Sequence, residues 1–346
     1  MPHYHPVRSD GLGDGFGKLR VNWETLLQHI GNTTATTVRG RYAPSPSGPL
    51  HLGNIRTGLL AWLHARLYEG VFVLRMEDLD RPRMRPGCAA SILGDLRWLG
   101  LDWDEGPDIG GSSAPYTQSE RDAYYHSALD YLQRKQLLFA CTCSRKDLAL
   151  AASAPHENDT PGVYPGTCRA LAPGAATPGR PTALRFRAPD CDIAFDDAIF
   201  GPQRQHLARE VGDFVVRRAD QLMAYQLAVV VDDALMGITD VVRGADLLDS
   251  TPRQIALFHA LDAPYLPRFW HVPLMRDAAG QRLAKRTAAE SLGAWRERGA
   301  TPAQIVGMLA AGLGFTPERT ELSARELLRA LTPETFRATL VRTTMS

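Results

Sequence analysis

Between Val38 and Met76 the chain compresses strand, turn, helix and strand signals into about forty residues. A connection of that length joins neighbouring strands as a crossover, which makes the pair parallel and right-handed. Val38 to Ala43 reads as the first strand, and Pro44, Pro46 and Pro49 with Gly48 and Gly53 form the turn. Leu59, Leu60, Leu63 and Leu67 recur at helical spacing over Ile55 to Glu69, and Val71 to Met76 is the second strand. The expected fold class is α/β, a Rossmann-like core with ligands at the carboxyl ends of its parallel strands.

The chain as a whole is consistent with a soluble protein of about two domains: 346 residues, 44% hydrophobic and 22% charged. Such values exclude disordered, collagenous and small disulfide-scaffold classes. The apolar stretch Ile305 to Phe315 is far short of the roughly 20 residues a bilayer span needs, so no membrane partner is expected. A formal charge of +1 gives no global field for nucleic acid, so any polyanion must meet a local basic face. Residues 1–37 contain no apolar signal core; they read as an extension with one short helix over Val21 to Ile30, and the expected compartment is the cytoplasm. There, five cysteines are thiols or metal ligands, and Cys88 and Cys191, lacking a partner pattern, are expected as small buried hydrophobes.

Further on, a helix is expected over Glu120 to Leu138, and Ala151 to Pro181 is too rich in Ala, Pro, Gly and Thr to build its own core. Strands are expected at Ala183 to Arg187, Asp213 to Arg218, Leu227 to Val231 and Met236 to Arg243, and helices at Pro252 to Leu261, Pro302 to Gly312 and Ala324 to Leu331.

The turn carries chemistry as well as direction. His51 and Asn54 stand at the mouth of the following helix, where amide N–H groups and an imidazole suit the triphosphate of a nucleotide. Glu77 follows the second strand, placed to receive an ammonium, while Arg41 can fork onto a carboxylate. Arg243 suits an acid-selective pocket, or alternatively a structural ion pair with Asp240 or Asp246. Cys141 and Cys143, with Cys168 about two dozen residues on, supply three ligands of a tetrahedral zinc shell; Tyr164, His156 or water could be the fourth.

The full run Arg41-Tyr-Ala-Pro-Ser-Pro-Ser-Gly-Pro-Leu-His-Leu-Gly-Asn-Ile-Arg56 resembles the signature of class I aminoacyl-tRNA synthetases of the glutamyl and glutaminyl branch. Leu74-Arg-Met-Glu-Asp-Leu-Asp-Arg-Pro-Arg83 resembles that branch's Arg-Ile-Glu-Asp-Thr-Asp-Pro segment, and Tyr225 to Leu247 is similar to its amino-acid pocket. Gln281-Arg-Leu-Ala-Lys-Arg-Thr287 resembles its Lys-Met-Ser-Lys-Ser loop, with Arg282 in place of the first lysine and Ala284 in place of the serine. The resemblance implies a glutamate site of Arg41, Ser45, Glu77, Tyr225 and Arg243, and an ATP site of Pro44, His51, Gly53, Asn54, Arg282 and Lys285. It makes His51, Asn54 and Lys285 catalytic, with Mg2+ accompanying ATP.

The resemblance also implies a domain plan: an N-terminal extension (1–37), two halves of the catalytic domain (38–116 and 221–292), an inserted acceptor-like subdomain (117–220) with a zinc knuckle (141–168), and a short helical C-terminal region (293–346). Sixty-one residues follow Lys285, too few for the anticodon-binding module of a complete glutamyl or glutaminyl enzyme. With the Cys-x-Cys, Tyr-x-x-x-Cys pattern, this resembles the glutamyl-queuosine tRNA(Asp) synthetase family. Val229, where full-length enzymes usually place Asn, is consistent with it. The family implies one structural Zn2+ bound by Cys141, Cys143, Tyr164 and Cys168, a monomer, and three partners: L-glutamate, ATP and tRNA(Asp) bearing queuosine. Charging of a tRNA 3′ end, or RNA binding by a decayed active site, are the alternative functions.

Overall fold

The computed structural model describes residues 22–30, 37–144, 163–171, 179–275 and 291–345. Arg39–Tyr42 (β1) and Val71–Leu74 (β2) pair in parallel, joined by the helix Leu52–Leu67, as the spacing requires. The sheet continues through Asp240–Gly244 (β8), Arg268–Val272 (β9), Asp192–Asp197 (β5) and Gly201–His206 (β6) in the order β2-β1-β8-β9-β5-β6. All neighbours are parallel except the β5–β6 hairpin at the edge. A second, antiparallel sheet is built from Leu138–Cys141 (β3), Ala183–Phe186 (β4) and Phe214–Arg217 (β7). Residues 117–220 thus supply this small sheet and also β5 and β6 of the large one.

The large sheet is covered on both faces, and its strands alternate between two cores. Phe72, Leu74, Val242, Trp270 and Val272 join the helix Leu52–Leu67 and the C-terminal helices in one core. Val73, Val241 and Phe269 join the helices Asp122–Arg134, Tyr225–Leu235 and Thr251–Ala260 in the other. A period of two on strands buried on both sides is why these runs read as continuously apolar. C-terminal to the sheet, Pro302–Ala311 and Ala324–Ala330 are each opened by a reciprocal capping box, Thr301 with Gln304 and Ser323 with Glu326. Gly307 is required in the first of these helices: a Cβ there would lie 1.7 Å from the Thr320 carbonyl oxygen.

Some expectations need correction. Leu227 to Val231 is not a strand but the buried middle of the helix Tyr225–Leu235; a short apolar run bears the same pattern in a buried helix and a buried strand. The following strand begins at Asp240 rather than Met236, because Gly237 at φ 67° ends the helix first. The expected helix to Leu138 ends at Arg134, where Gln136 at φ 58° turns the chain into β3. Helix Cys88–Trp98, the β5–β6 hairpin and β9 were not expected. Near the N-terminus, the helix Trp23–Ile30 is docked on the protein: Trp23 is buried in the second core and its indole N–H donates to the Leu261 carbonyl at 2.8 Å. Cys88 is half-buried and Cys191 exposed, so neither is a core hydrophobe.

Candidate active site

Charged residues gather at the carboxyl edge of the parallel strands. Glu77 follows β2, Arg41 lies in β1, Arg243 in β8, His271 in β9, and Asp197 closes β5. A cavity of about 900 Å³ opens along this edge, lined by Arg41, Pro44, Ser45, His51, Gly53, Asn54, Glu77, Tyr225 and Arg243. Every described residue assigned from sequence to amino-acid or nucleotide binding therefore borders one space. Arg282 and Lys285 lie outside the described residues, as does His156; Met275 and Ser291, on either side of 276–290, both line the cavity.

His51 adopts extended backbone and caps the helix Leu52–Leu67, its Nδ1 accepting the Asn54 backbone N–H at 3.4 Å. Gly53 lets the ring lie close, since a Cβ there would come within 3.2 Å of the imidazole. The first turn of this helix carries no acidic side chain, so its amide end presents positive potential.

Beneath the cavity lies a lattice of buried charges. Asp233 accepts from Arg41 Nε at 3.2 Å and from Arg75 Nη1 at 2.8 Å, and Arg75 reaches Glu77 at 3.3 Å. Asp232 accepts from Arg121 Nε at 2.6 Å, Gln118 at 2.8 Å and the Tyr125 hydroxyl at 3.0 Å. Burial alone would depress Arg75, but Asp233, Asp232 and Glu77 hold it above the ordinary guanidinium value. Burial raises Glu77 above the usual carboxylate range against the pull of Arg75 and Arg41. For Asp233 burial is outweighed by Arg41 and Arg75, and its carboxyl lies low.

Arg41, Arg75 and Arg121 thus face Glu77, Asp232 and Asp233, three cations against three anions. Arg243 stands outside this set, as does the buried Arg56, which donates to the Pro273 carbonyl. Among the described residues Arg243 donates to His271, Gln254, Thr251 and the Leu247 carbonyl, none of them a carboxylate. The ion pair with Asp240 considered from sequence is not formed, because Asp240 is taken by His64 at 3.1 Å, Arg268 at 2.9 Å and Thr239 at 2.7 Å. Asp232, Asp233, Asp197, His271, Thr251 and Gln254 escaped the sequence reading. The signal was present in two places: an acidic pair inside an apolar helix, and a histidine inside an apolar strand.

A second cavity, of about 960 Å³, shares Ser45, Glu77 and Tyr225 with the first and extends to Cys141 and Cys143 beside the small sheet. The sulfur atoms of Cys141, Cys143 and Cys168 lie within 4.8 Å of one another, with Cys143 and Cys168 3.5 Å apart. Tetrahedral zinc with thiolates at its usual bond length spaces sulfurs about 3.8 Å apart, so this donor set fits the metal. Tyr164 places its hydroxyl 3.6 Å from Cys141 Sγ, where it also accepts the Cys168 backbone N–H at 2.7 Å. Burial and the neighbouring sulfurs push the Cys143 thiol up to about 12, a state a bound cation reverses.

Residues 37–337 match the family described as tRNA synthetases class I (E and Q), catalytic domain, and the chain belongs to that family. Within it, the chain belongs with the glutamyl-Q tRNA(Asp) synthetases. A Glutamyl-Q tRNA(Asp) synthetase from Symbiobacterium thermophilum is 54% identical over 294 residues, 84% of this chain and 90% of the relative. Another of that name, from Nitratidesulfovibrio vulgaris, is 49% identical over 303 residues, 86% of this chain and 93% of the relative. Among solved structures, a glutamate tRNA ligase from Elizabethkingia meningosepticum in complex with its amino acid superposes with a TM-score of 0.74 at 29% identity. The match covers 86% of this chain but 65% of that longer protein.

Proposed function

We propose that this chain activates L-glutamate with ATP to glutamyl-adenylate without tRNA, then transfers the glutamyl group to queuosine at the wobble position of tRNA(Asp). The observation that carries the reading is the guanidinium of Arg243, held by no carboxylate among the described residues, in a cavity that also holds Glu77, Arg41 and a helix N-terminus. A ligand with one ammonium and two carboxylates matches those charges. Glu77 receives the α-ammonium, Arg41, Ser45 and Tyr225 hold the main-chain end, and Arg243 holds the side-chain carboxylate. Neutral glutamine leaves the buried guanidinium without a counter-charge and is rejected.

In the first step a glutamate α-carboxylate oxygen attacks the α-phosphorus of ATP in line and pyrophosphate leaves with the electron pair of the broken P–O bond. Pro44 and Gly53 shape the turn against the nucleotide, and His51, Asn54, Arg282 and Lys285 bear on the phosphates, so catalysis is positioning plus charge stabilisation. Mg2+, when bound with ATP, supplies further charge neutralisation on the phosphate oxygens. A hydroxyl of the modified base then attacks the acyl carbon and AMP departs.

Offered labelled glutamate, ATP and tRNA(Asp) with or without queuosine, the protein is expected to label the modified tRNA alone, with the label recovered on the anticodon fragment after nuclease digestion. Label confined to the 3′ terminus overturns the reading. We place the chain in the cytoplasm as a monomer; no helix among the described residues is long and apolar enough to cross a membrane.

We also propose that Cys141, Cys143, Cys168 and Tyr164 hold one structural Zn2+, which links a segment poor in apolar residues to β3. Cys168→Ser is expected to lose bound zinc and to lower the Tm by several degrees, as a metal bound only by the native state predicts. Unchanged metal content by atomic emission counts against these ligands.

A further inference from the structure

Arg243 is gripped by three neutral groups. Its Nε donates to His271 Nε2 at 2.9 Å, Nη1 to Gln254 Oε1 at 2.7 Å and Nη2 to Thr251 Oγ1 at 2.8 Å. An imidazole nitrogen accepts a hydrogen bond only when it carries no proton, so the His271 proton sits on Nδ1. That nitrogen faces Asp197 Oδ2 at 2.6 Å. Asp197 is itself fixed by the backbone N–H groups of Ile199 at 3.0 Å, Phe200 at 2.9 Å and His271 at 3.1 Å. His271 and Thr251 are fully buried, and Asp197, Gln254 and Arg243 are 2%, 2% and 4% exposed.

We infer that Asp197 and His271 are positioning residues for acid selectivity: Asp197 fixes the tautomer of His271, which then orients Arg243 without cancelling its charge. The inference rests on the glutamate reading of this cavity and deepens it. A carboxylate in direct contact would orient Arg243 equally well, yet it would neutralise the guanidinium and remove the reason an anion binds. One imidazole inserted between them keeps the anchor and moves the negative charge a ring's width away, where its attraction for the guanidinium is much weaker. Gln254 is a specificity determinant for the same reason: it matches glutamate in shape but contributes no charge.

Three variants test this by amino-acid-dependent pyrophosphate exchange, with KM for glutamate, KM for ATP and kcat read separately. Gln254→Glu sets a carboxylate against Arg243 and is expected to raise KM for glutamate about thirtyfold or more while narrowing the preference over glutamine. His271→Leu is expected to raise KM for glutamate about tenfold or more with KM for ATP unchanged. His271→Gln returns an acceptor oxygen near the former Nε2 and is expected to restore most of that loss. The inference is overturned if Gln254→Glu leaves the glutamate-to-glutamine preference intact, or if His271→Gln is as impaired as His271→Leu. Absence of glutamate-dependent exchange in the unaltered protein overturns the glutamate reading instead. Should His271→Leu fail to fold, Gln254→Glu alone decides.

Discussion

Arg243→Ala is expected to lower kcat/KM for glutamate-dependent pyrophosphate exchange by about a thousandfold, the loss of a desolvated charge partner worth on the order of 4 kcal/mol. The residue lies on a central strand, is buried, and has no carboxylate partner among the described residues. In the absence of ligand its charge is sustained at a cost, and burial holds its pKa below the ordinary guanidinium value. On the proposed reading, an incoming side-chain carboxylate relieves that cost, so the variant is expected to forfeit much of the binding free energy that distinguishes glutamate. Folding should survive, because alanine removes a buried charge instead of stranding one. An Arg243→Ala protein with unchanged exchange would mean the residue is misassigned.

Asp232→Ala is the opposite case: it should cost stability of about 3–5 kcal/mol. Its carboxylate is fully buried and accepts from Arg121, Gln118 and Tyr125, with Arg75 Nε 3.6 Å away. Removing it leaves the buried Arg121 guanidinium without a carboxylate partner among the described residues, and Arg75 with Asp233 and Glu77 alone. Urea denaturation should show a lower midpoint with an unchanged slope. Glu24→Ala, at a half-exposed carboxylate paired with Arg134 at 2.7 Å, should by contrast cost no more than about 1 kcal/mol. Equal losses at the two positions would refute the buried lattice as a structural element.

The parts of the site legible in sequence are those that one short segment builds alone. The βαβ unit carries its own period change, its prolines and its glycine, so the His51 turn and the positions of Arg41 and Glu77 could be read directly. The rest depends on partners distant in sequence. Arg41 meets Asp233 across 192 residues, and His271 meets Asp197 across 74. Nothing local to Asp233 marks it as a partner, and its helix was misread as a strand because β-branched residues fill a segment buried on all sides. Likewise β5 is short and polar at both ends, and β9 opens on Arg268 and is interrupted by His271, so neither stands out until the sheet assembles around them.

Ser45, Glu77 and Tyr225 form a common wall between two chambers. On the proposed reading, an acyl group activated in the first cavity lies beside residues that also border the second, within reach of a recipient that enters from the small-sheet side. Two chemical events can then share one set of fixed residues, and the transit between them is a matter of side-chain reach instead of diffusion.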